Sequence, residues 1–329
     1  MWLGSLFEMS VMLIGGNSCL GYHLLQLLGH GTGALVSVSS DLPHEYLRLG
    51  HASYAAVDLL DFKQVQNLLL EHRPTEIYHL VSQEFSLGSV PQKPGSLLQY
   101  LILGMQNLLE AARHAVPKAR VLMVSSAEIY GGGRGVVDVI HRESDQANPF
   151  SPYATAVAAC ELLAKQYFQA NRIDISVVRP FSVTGPYQDR KFVLPSVASQ
   201  IASIELHDGE TVIYTGNLDV SRDYLDVRDQ ARAIAMLMKR AAPGEVYNVC
   251  SGKARTIRDL VHYLIAMSKC PIEIRVDPAR ERAIDIPLLV GSPEKIMQLT
   301  GWKPIISIED SLKDLYSEIK IRLAAGHSV

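Results

Sequence analysis

Two rhythms of apolar residues alternate along this chain. Val11 to Gly15 is a short, continuously apolar run that ends in Gly15-Gly16, and the stretch from Leu20 to Leu28 behind it carries its leucines at helical spacing. The pair reads as strand, tight turn and helix. Further strands are expected at Ala34 to Ser39, Ser53 to Val57, Glu76 to Val81, Arg120 to Ser125, Ile175 to Arg179 and Val246 to Val249. Segments of helical period separate most of them. Strands alternating with helices imply a parallel sheet covered on both faces and joined by right-handed crossovers. The fold class is therefore α/β, a doubly wound parallel sheet of the Rossmann kind, with ligands expected at the carboxyl ends of its strands.

Past Arg179-Pro180 the pattern loosens into glycine, proline and polar residues, then returns to the sheet through Asp223 to Arg240 and Glu245 to Val249. Two domains follow: a sheet domain over residues 10–180 and 223–251, and a smaller discontinuous lobe over 181–222 and 252–329. The helix expected from Ser96 to His114 is apolar on more than one side. Leu97, Leu98, Leu101, Ile102, Met105, Leu108 and Leu109 form one stripe, and Tyr100 and Leu103 fall outside it. One sheet cannot bury both sides, so the excess, with Leu101 and Met105 expected outward, requires the second lobe or another copy of the chain.

Composition excludes several functions. With 329 residues, 48% of them hydrophobic, the chain fills a sizeable core, and a net charge of −3 with both signs dispersed leaves no basic run for nucleic acid or a membrane surface. Met1 to Met12 is apolar but carries Glu8 and no basic start, which reads as a short extension and not a secretory leader. The longest uncharged run, between Lys93 and Glu110, contains Gln99, Gln106 and Asn107 and is too short to cross a bilayer comfortably. Cys19, Cys160, Cys250 and Cys270 show no CxxC and no metal-like spacing. Buried reduced thiols, no metal and a cytoplasmic location are expected.

Candidate chemistry lies where strands end. The turn Gly15-Gly16-Asn17-Ser18-Cys19-Leu20-Gly21 stands where a dinucleotide pyrophosphate meets a helix N-terminus, which makes Gly15, Asn17, Ser18 and Gly21 candidate cofactor contacts. Ser18 either crowds the phosphate or donates to it. After the second strand, Ser39, Ser40 and Asp41 mix hydroxyls with an acid, so NADP and NAD both stay open, with the balance toward NADP. Asp58, followed by Leu59, either serves the adenine side or caps the helix beginning near Asp61. Ser126 and Glu128 follow an apolar strand, and Tyr153 opens the next helix. A serine hydroxyl and a phenol so placed hold and protonate a carbonyl oxygen while hydride arrives from a nicotinamide.

Ser125-Ser126-Ala127-Glu128-Ile129-Tyr130-Gly131 and Ser151-Pro152-Tyr153-Ala154-Thr155-Ala156-Val157 resemble active-site stretches of the extended short-chain dehydrogenase/reductase family. Arg179-Pro180-Phe181-Ser182-Val183-Thr184-Gly185-Pro186, Gly216-Asn217-Leu218, Arg222-Asp223-Tyr224 and Thr300-Gly301-Trp302-Lys303-Pro304 extend the resemblance to its nucleotide-sugar branch, most similar to the GDP-4-keto-6-deoxymannose reductases and GDP-mannose 4,6-dehydratases. The resemblance implies an NAD(P)-dependent enzyme that reduces GDP-4-keto-6-deoxymannose to GDP-rhamnose, with catalytic Ser126, Tyr153 and Glu128. It also implies a nucleotide-sugar lobe using Arg222, Arg282, Asn217 and Val193, and a homodimer through the helices beginning near Ser96 and Tyr153. Three cofactor positions depart from the family pattern: Ser18 replaces the middle glycine, Leu101 an asparagine, and Val157 the lysine of Tyr-x-x-x-Lys. A non-catalytic sibling and a dehydratase or epimerase are the alternative functions.

Overall fold

A computed structural model describes residues 9–29, 33–80, 94–131, 139–207, 211–280 and 285–326. The chain divides into two compact units: Met1–Ser126, Ser151–Arg179 and Ile234–Tyr247 make the first, and Ala127–Phe150, Pro180–Ala233 and Asn248–Val329 the second.

The first unit is built on strands β1 (Val11–Ile14), β2 (Leu35–Ser39), β3 (Ser53–Ala56), β4 (Glu76–His79), β5 (Arg120–Val124), β7 (Ile175–Pro180) and β11 (Val246–Val249), lying in the order β11-β7-β5-β4-β1-β2-β3. From β7 to β3 every pairing is parallel, with Ile14 opposite both Val38 and His79. The order reverses at β1, which creates the switch point where the carboxyl ends of strands open a crevice. Strands β1 and β2 are buried along their whole length and β5 beyond its first residue, as a sheet covered on both faces requires. Its helices are α1 (Cys19–Leu28), α2 (Phe62–His72), α3 (Pro94–Ala115) and α4 (Pro152–Asn171).

One expectation and one open alternative fail here for identifiable reasons. Leu101 and Met105 are 2% and 0% exposed, so they face inward; Leu103, at 41%, and Leu162 of α4, at 69%, carry the apolar surface that remains outside. Asp58 does not cap α2. That role belongs to Asp61, whose Oδ1 accepts from the amides of Lys63 at 2.9 Å and Gln64 at 3.1 Å.

The second unit takes in more of the chain than the periodicity suggested. Residues Ala127–Phe150 join it because the two-residue strand β6 (Ile140–His141) pairs with β14 (Leu288–Gly291). The stretch from Asp223 to Ala233 joins it because β10 (Ser221–Asp226) pairs with β8 (Ser182–Thr184), β12 (Ala254–Thr256) and β14 and not with the large sheet. A parallel pair, β9 (Val212–Thr215) and β13 (Glu273–Val276), lies apart from this five-stranded sheet. Helix α6 (Val227–Arg240) divides between the units. Helices α5 (Val193–His207), α7 (Ile257–Ala266) and α9 (Ile308–Ala324) share a core that includes Val197, Ile201, Val261, Leu312 and Leu315; the short α8 (Glu294–Thr300) precedes α9. Among the described residues no helix is long and apolar enough to cross a membrane.

Glu205 ties this core together. It accepts from Lys320 Nζ on α9 at 2.6 Å and from Ser268 Oγ at 2.9 Å, just past α7. Burial alone would raise its pKa, but these donors and the Lys269 amide outweigh it and hold the carboxyl at about 2. A carboxyl whose pKa falls on folding stabilises the fold above its ordinary range, and the contribution is lost as pH drops toward the folded value. Glu205→Gln is expected to cost about 1–2 kcal/mol at pH 7, a difference that shrinks toward zero near pH 2. Urea denaturation of both proteins across pH 2–7 measures it.

Candidate active site

The turn from β1 into α1 is closed by its own residues. Gly15 takes the left-handed conformation, φ 86°, and Ser18 is the helix N-cap, with Oγ accepting from the Gly21 amide at 3.1 Å and donating to the Gly15 carbonyl at 3.3 Å. Ser18 is extended, φ −73° and ψ 159°, so this position does not demand glycine. Its hydroxyl serves the cap. Gly21 is the constrained residue: a Cβ there would stand 2.2 Å from the Gly16 carbonyl oxygen. Asn17 joins this turn to the end of β2, its amide donating to Ser39 Oγ at 3.2 Å and its side chain to the Asp41 carbonyl at 2.7 Å. The first turn of α1 carries no acid, so the positive end of its dipole is unopposed. These residues fit the diphosphate of a dinucleotide.

Asp58 lies exposed after β3, accepting from the Leu60 amide at 2.9 Å, beside the buried Leu59. Asn107 of α3 fixes this corner by donating to the carbonyls of Leu59 at 2.9 Å and Leu60 at 3.1 Å. One face of α3 packs on α4, where Cys160 Sγ donates to the Leu101 carbonyl at 3.4 Å. Leu101 and Val157 are both buried, Val157 to 1% exposure. Two of the three departures from the family pattern are thus apolar and closed to water.

Ser125 ends the ladder of β5, its amide donating to the Val178 carbonyl at 2.7 Å, so Ser126 is the first residue beyond the sheet. Tyr153 is buried in the first turn of α4, behind Ser151, whose Oγ accepts from the Ala154 amide at 3.0 Å, and behind Pro152 at the start of the helix. Below them lies a cluster. Ser125 Oγ donates to Glu161 Oε1 at 2.5 Å, and Arg179 of β7 grips the same carboxylate through Nε at 3.1 Å and Nη2 at 2.7 Å.

Glu128 belongs to the second unit, half-buried on a 3-10 turn, Ala127–Tyr130. That turn is anchored by Tyr130, whose hydroxyl donates to Asn248 Oδ1 at 2.7 Å and whose ring stacks on His141 at 4.7 Å. Gly131 follows at φ 64°, with the Asn148 carbonyl 2.0 Å from where a Cβ would stand.

Elsewhere in the second unit, Asp285 brings Arg222 and Asn217 together. Its Oδ1 accepts from Arg222 Nη2 at 3.0 Å and its Oδ2 from Asn217 Nδ2 at 3.2 Å. Arg222 is buried and also donates to the carbonyls of Ser221 at 2.9 Å and Ile286 at 2.5 Å. Val193 opens α5, half-buried against the helical core. Arg282 lies outside the described residues. A cavity of about 600 Å³ is lined by Arg190, Lys191 and Arg280, a single carboxylate, Asp189, and the hydroxyls of Ser196, Ser199 and Ser203.

Sequence reasoning passed over Asp285, Ser125, Glu161, Arg179 and Asn107. Glu161 was the accessible one, since it lies on the side of α4 that carries Tyr153 and Val157 at intervals of four.

Comparison with known proteins covers nearly the whole chain. The GDP-mannose 4,6 dehydratase family model matches residues 32–315. A GDP-6-deoxy-D-mannose reductase of Pseudomonas aeruginosa is 33% identical over 95% of this chain and 98% of its own length. A GDP-mannose 4,6-dehydratase of Yersinia enterocolitica is 26% identical over 83% and 78%. The solved structure of RMD from Pseudomonas aeruginosa complexed with NADPH superposes with a TM-score of 0.80 at 30% identity, covering 95% of this chain and 100% of that one.

Gly21→Ala forces a Cβ against backbone and not against a flexible side chain. It is expected to lower stability by about 1–3 kcal/mol, read from chemical denaturation of the two proteins.

Proposed function

The chain belongs to the GDP-mannose 4,6-dehydratase family of nucleotide-sugar enzymes, and on that premise we propose that it is an NAD(P)-dependent reductase acting on GDP-4-keto-6-deoxymannose. The observation that carries the reading is the placement of Ser126 immediately past the carboxyl end of β5 and of Tyr153 in the first turn of α4. A bound nicotinamide supplies the hydride. Ser126 Oγ holds the sugar O4, and Tyr153 Oη transfers its proton to that oxygen, which completes a ketone-to-alcohol reduction. Glu128 contacts the sugar and orients its loop. Gly15, Asn17, Ser18, Gly21, Asp58 and Leu59 line the dinucleotide seat; NADPH, carried by the Pseudomonas structure, is favoured over NADH.

Val157 sets the direction. An apolar side chain at this position offers no cation to favour the ionised phenol over the protonated one. That form suits reduction. Oxidation of a sugar hydroxyl, the opening step of dehydration and epimerisation, needs the phenolate. The same valine, with Leu101, favours a second reading: an impaired sibling that binds ligand without turning it over.

In the second unit, Arg222 presents a guanidinium held in place by Asp285, and with Arg282, Asn217 and Val193 it receives the nucleotide-sugar diphosphate. The cavity lined by Arg190, Lys191 and Arg280 contains none of Arg222, Asn217 and Val193, and two of its cations are paired with Asp189 and Asp277. Four free thiols are consistent with a reducing cytoplasm. A homodimer through α3 and α4 would cover Leu103 and Leu162.

Nicotinamide absorbance with NADPH and GDP-4-keto-6-deoxymannose tests the activity. Turnover is expected, reduced about 10²–10⁴-fold by Tyr153→Phe. Dehydration of GDP-mannose without reductase activity overturns the assignment, and silence in both assays selects the sibling. For the dimer, Leu162→Glu is expected to give monomers in sedimentation velocity; a wild-type protein already monomeric at micromolar concentration overturns it.

A further inference from the structure

The cluster of Ser125, Glu161 and Arg179 joins three elements at one carboxylate. Ser125 closes β5, Glu161 lies two turns along α4 from Tyr153, and Arg179 stands near the end of β7. Glu161 and Arg179 are almost wholly buried, and their ion pair is made through two guanidinium nitrogens. A buried ion pair is a poor source of stability, because desolvating both charges offsets most of their attraction and an apolar pair of similar volume serves as well. What charges supply and apolar contacts do not is direction. A carboxylate that accepts from a planar fork on one strand and a hydroxyl on another fixes its helix in register and rotation.

The residues fixed in this way adjoin the reacting ones. Ser126 follows Ser125 just past the end of β5, so the Ser125 side chain is the last side-chain anchor before it. Tyr153 and Glu161 stand eight residues apart on one rigid helix, about 12 Å along its axis. We propose that Ser125, Glu161 and Arg179 form a tether that sets the position of Ser126 relative to Tyr153. They are positioning residues, and this role rests on the assignment of Ser126 and Tyr153 above.

Ser125→Ala removes one hydroxyl and keeps the ion pair, Ser125→Thr restores a hydroxyl, and Glu161→Gln removes the charge. Two readouts are taken on each: kcat and KM for GDP-4-keto-6-deoxymannose reduction with NADPH, and amide hydrogen exchange over residues 120–131 and 152–162. Ser125→Ala is expected to lower kcat about 10-fold to 100-fold with KM within about 2-fold, as misplacement of reacting groups does, and to speed exchange in both segments. Ser125→Thr is expected to recover both. Full kcat in Ser125→Ala overturns the tether, and so does unchanged exchange in both segments, whether or not the protein turns over substrate. Wild-type protein that is silent in the assay while the variants exchange faster as expected sinks the reductase reading and leaves the tether standing.

Discussion

The second unit depends on a carboxylate sealed from water. Asp223 has no exposed surface, yet it accepts four hydrogen bonds: from the Ser251 amide at 2.7 Å, Ser251 Oγ at 2.6 Å, the Gly252 amide at 2.9 Å and the Gly291 amide at 3.3 Å. Its donors come from the turn after β11 and from the end of β14, while Asp223 itself lies in β10. Burial pushes its pKa up against the pull of all four donors. Ionising such an acid weighs against the fold as pH rises above the ordinary aspartate range, and the donors limit that penalty. Arg222, next along the strand, turns to the opposite face, where Asp285 holds it. One strand therefore carries a structural carboxylate and a candidate ligand-binding guanidinium on its two faces.

The first unit repeats the principle with a different partner. Glu161 is satisfied by a guanidinium and a hydroxyl where Asp223 is satisfied mainly by backbone amides. Each solution gathers segments distant in sequence. Asp223 itself adjoins the candidate functional Arg222, and Ser125, the hydroxyl donor to Glu161, adjoins the candidate functional Ser126.

Much of this was legible in the chain, and the failures have physical causes. Strand positions in the large sheet were readable because strands buried on both faces are mostly apolar; Val246–Val249 matches without adjustment and Ile175–Pro180 to within one residue. The inward face of α3 was not readable, because apolar residues on several sides leave periodicity no polar reference: Leu101 and Leu103 are alike in composition and opposite in burial. Asp58 and Asp61 both fit a cap by type, and only their amide geometry separates them. The unit boundaries eluded the sequence because β6 has two residues and no period to detect, and because β10 reads like any strand while pairing elsewhere. Tyr153 and Ser126 were nominated by the residues around them. Glu161 was overlooked because a charged residue in a helix is most often at the surface.

The serine at the first helix N-terminus bears on how relatives of this chain are recognised. Patterns for dinucleotide turns ask for glycine at three places, on the premise that each place needs a backbone or a clearance that only glycine allows. Here the middle place has a conformation open to every residue, and the side chain installed there closes the turn from within. A search that scores the middle glycine as heavily as Gly21 discards sequences for a difference the backbone does not feel. Weighting each position by the space around it would retain them.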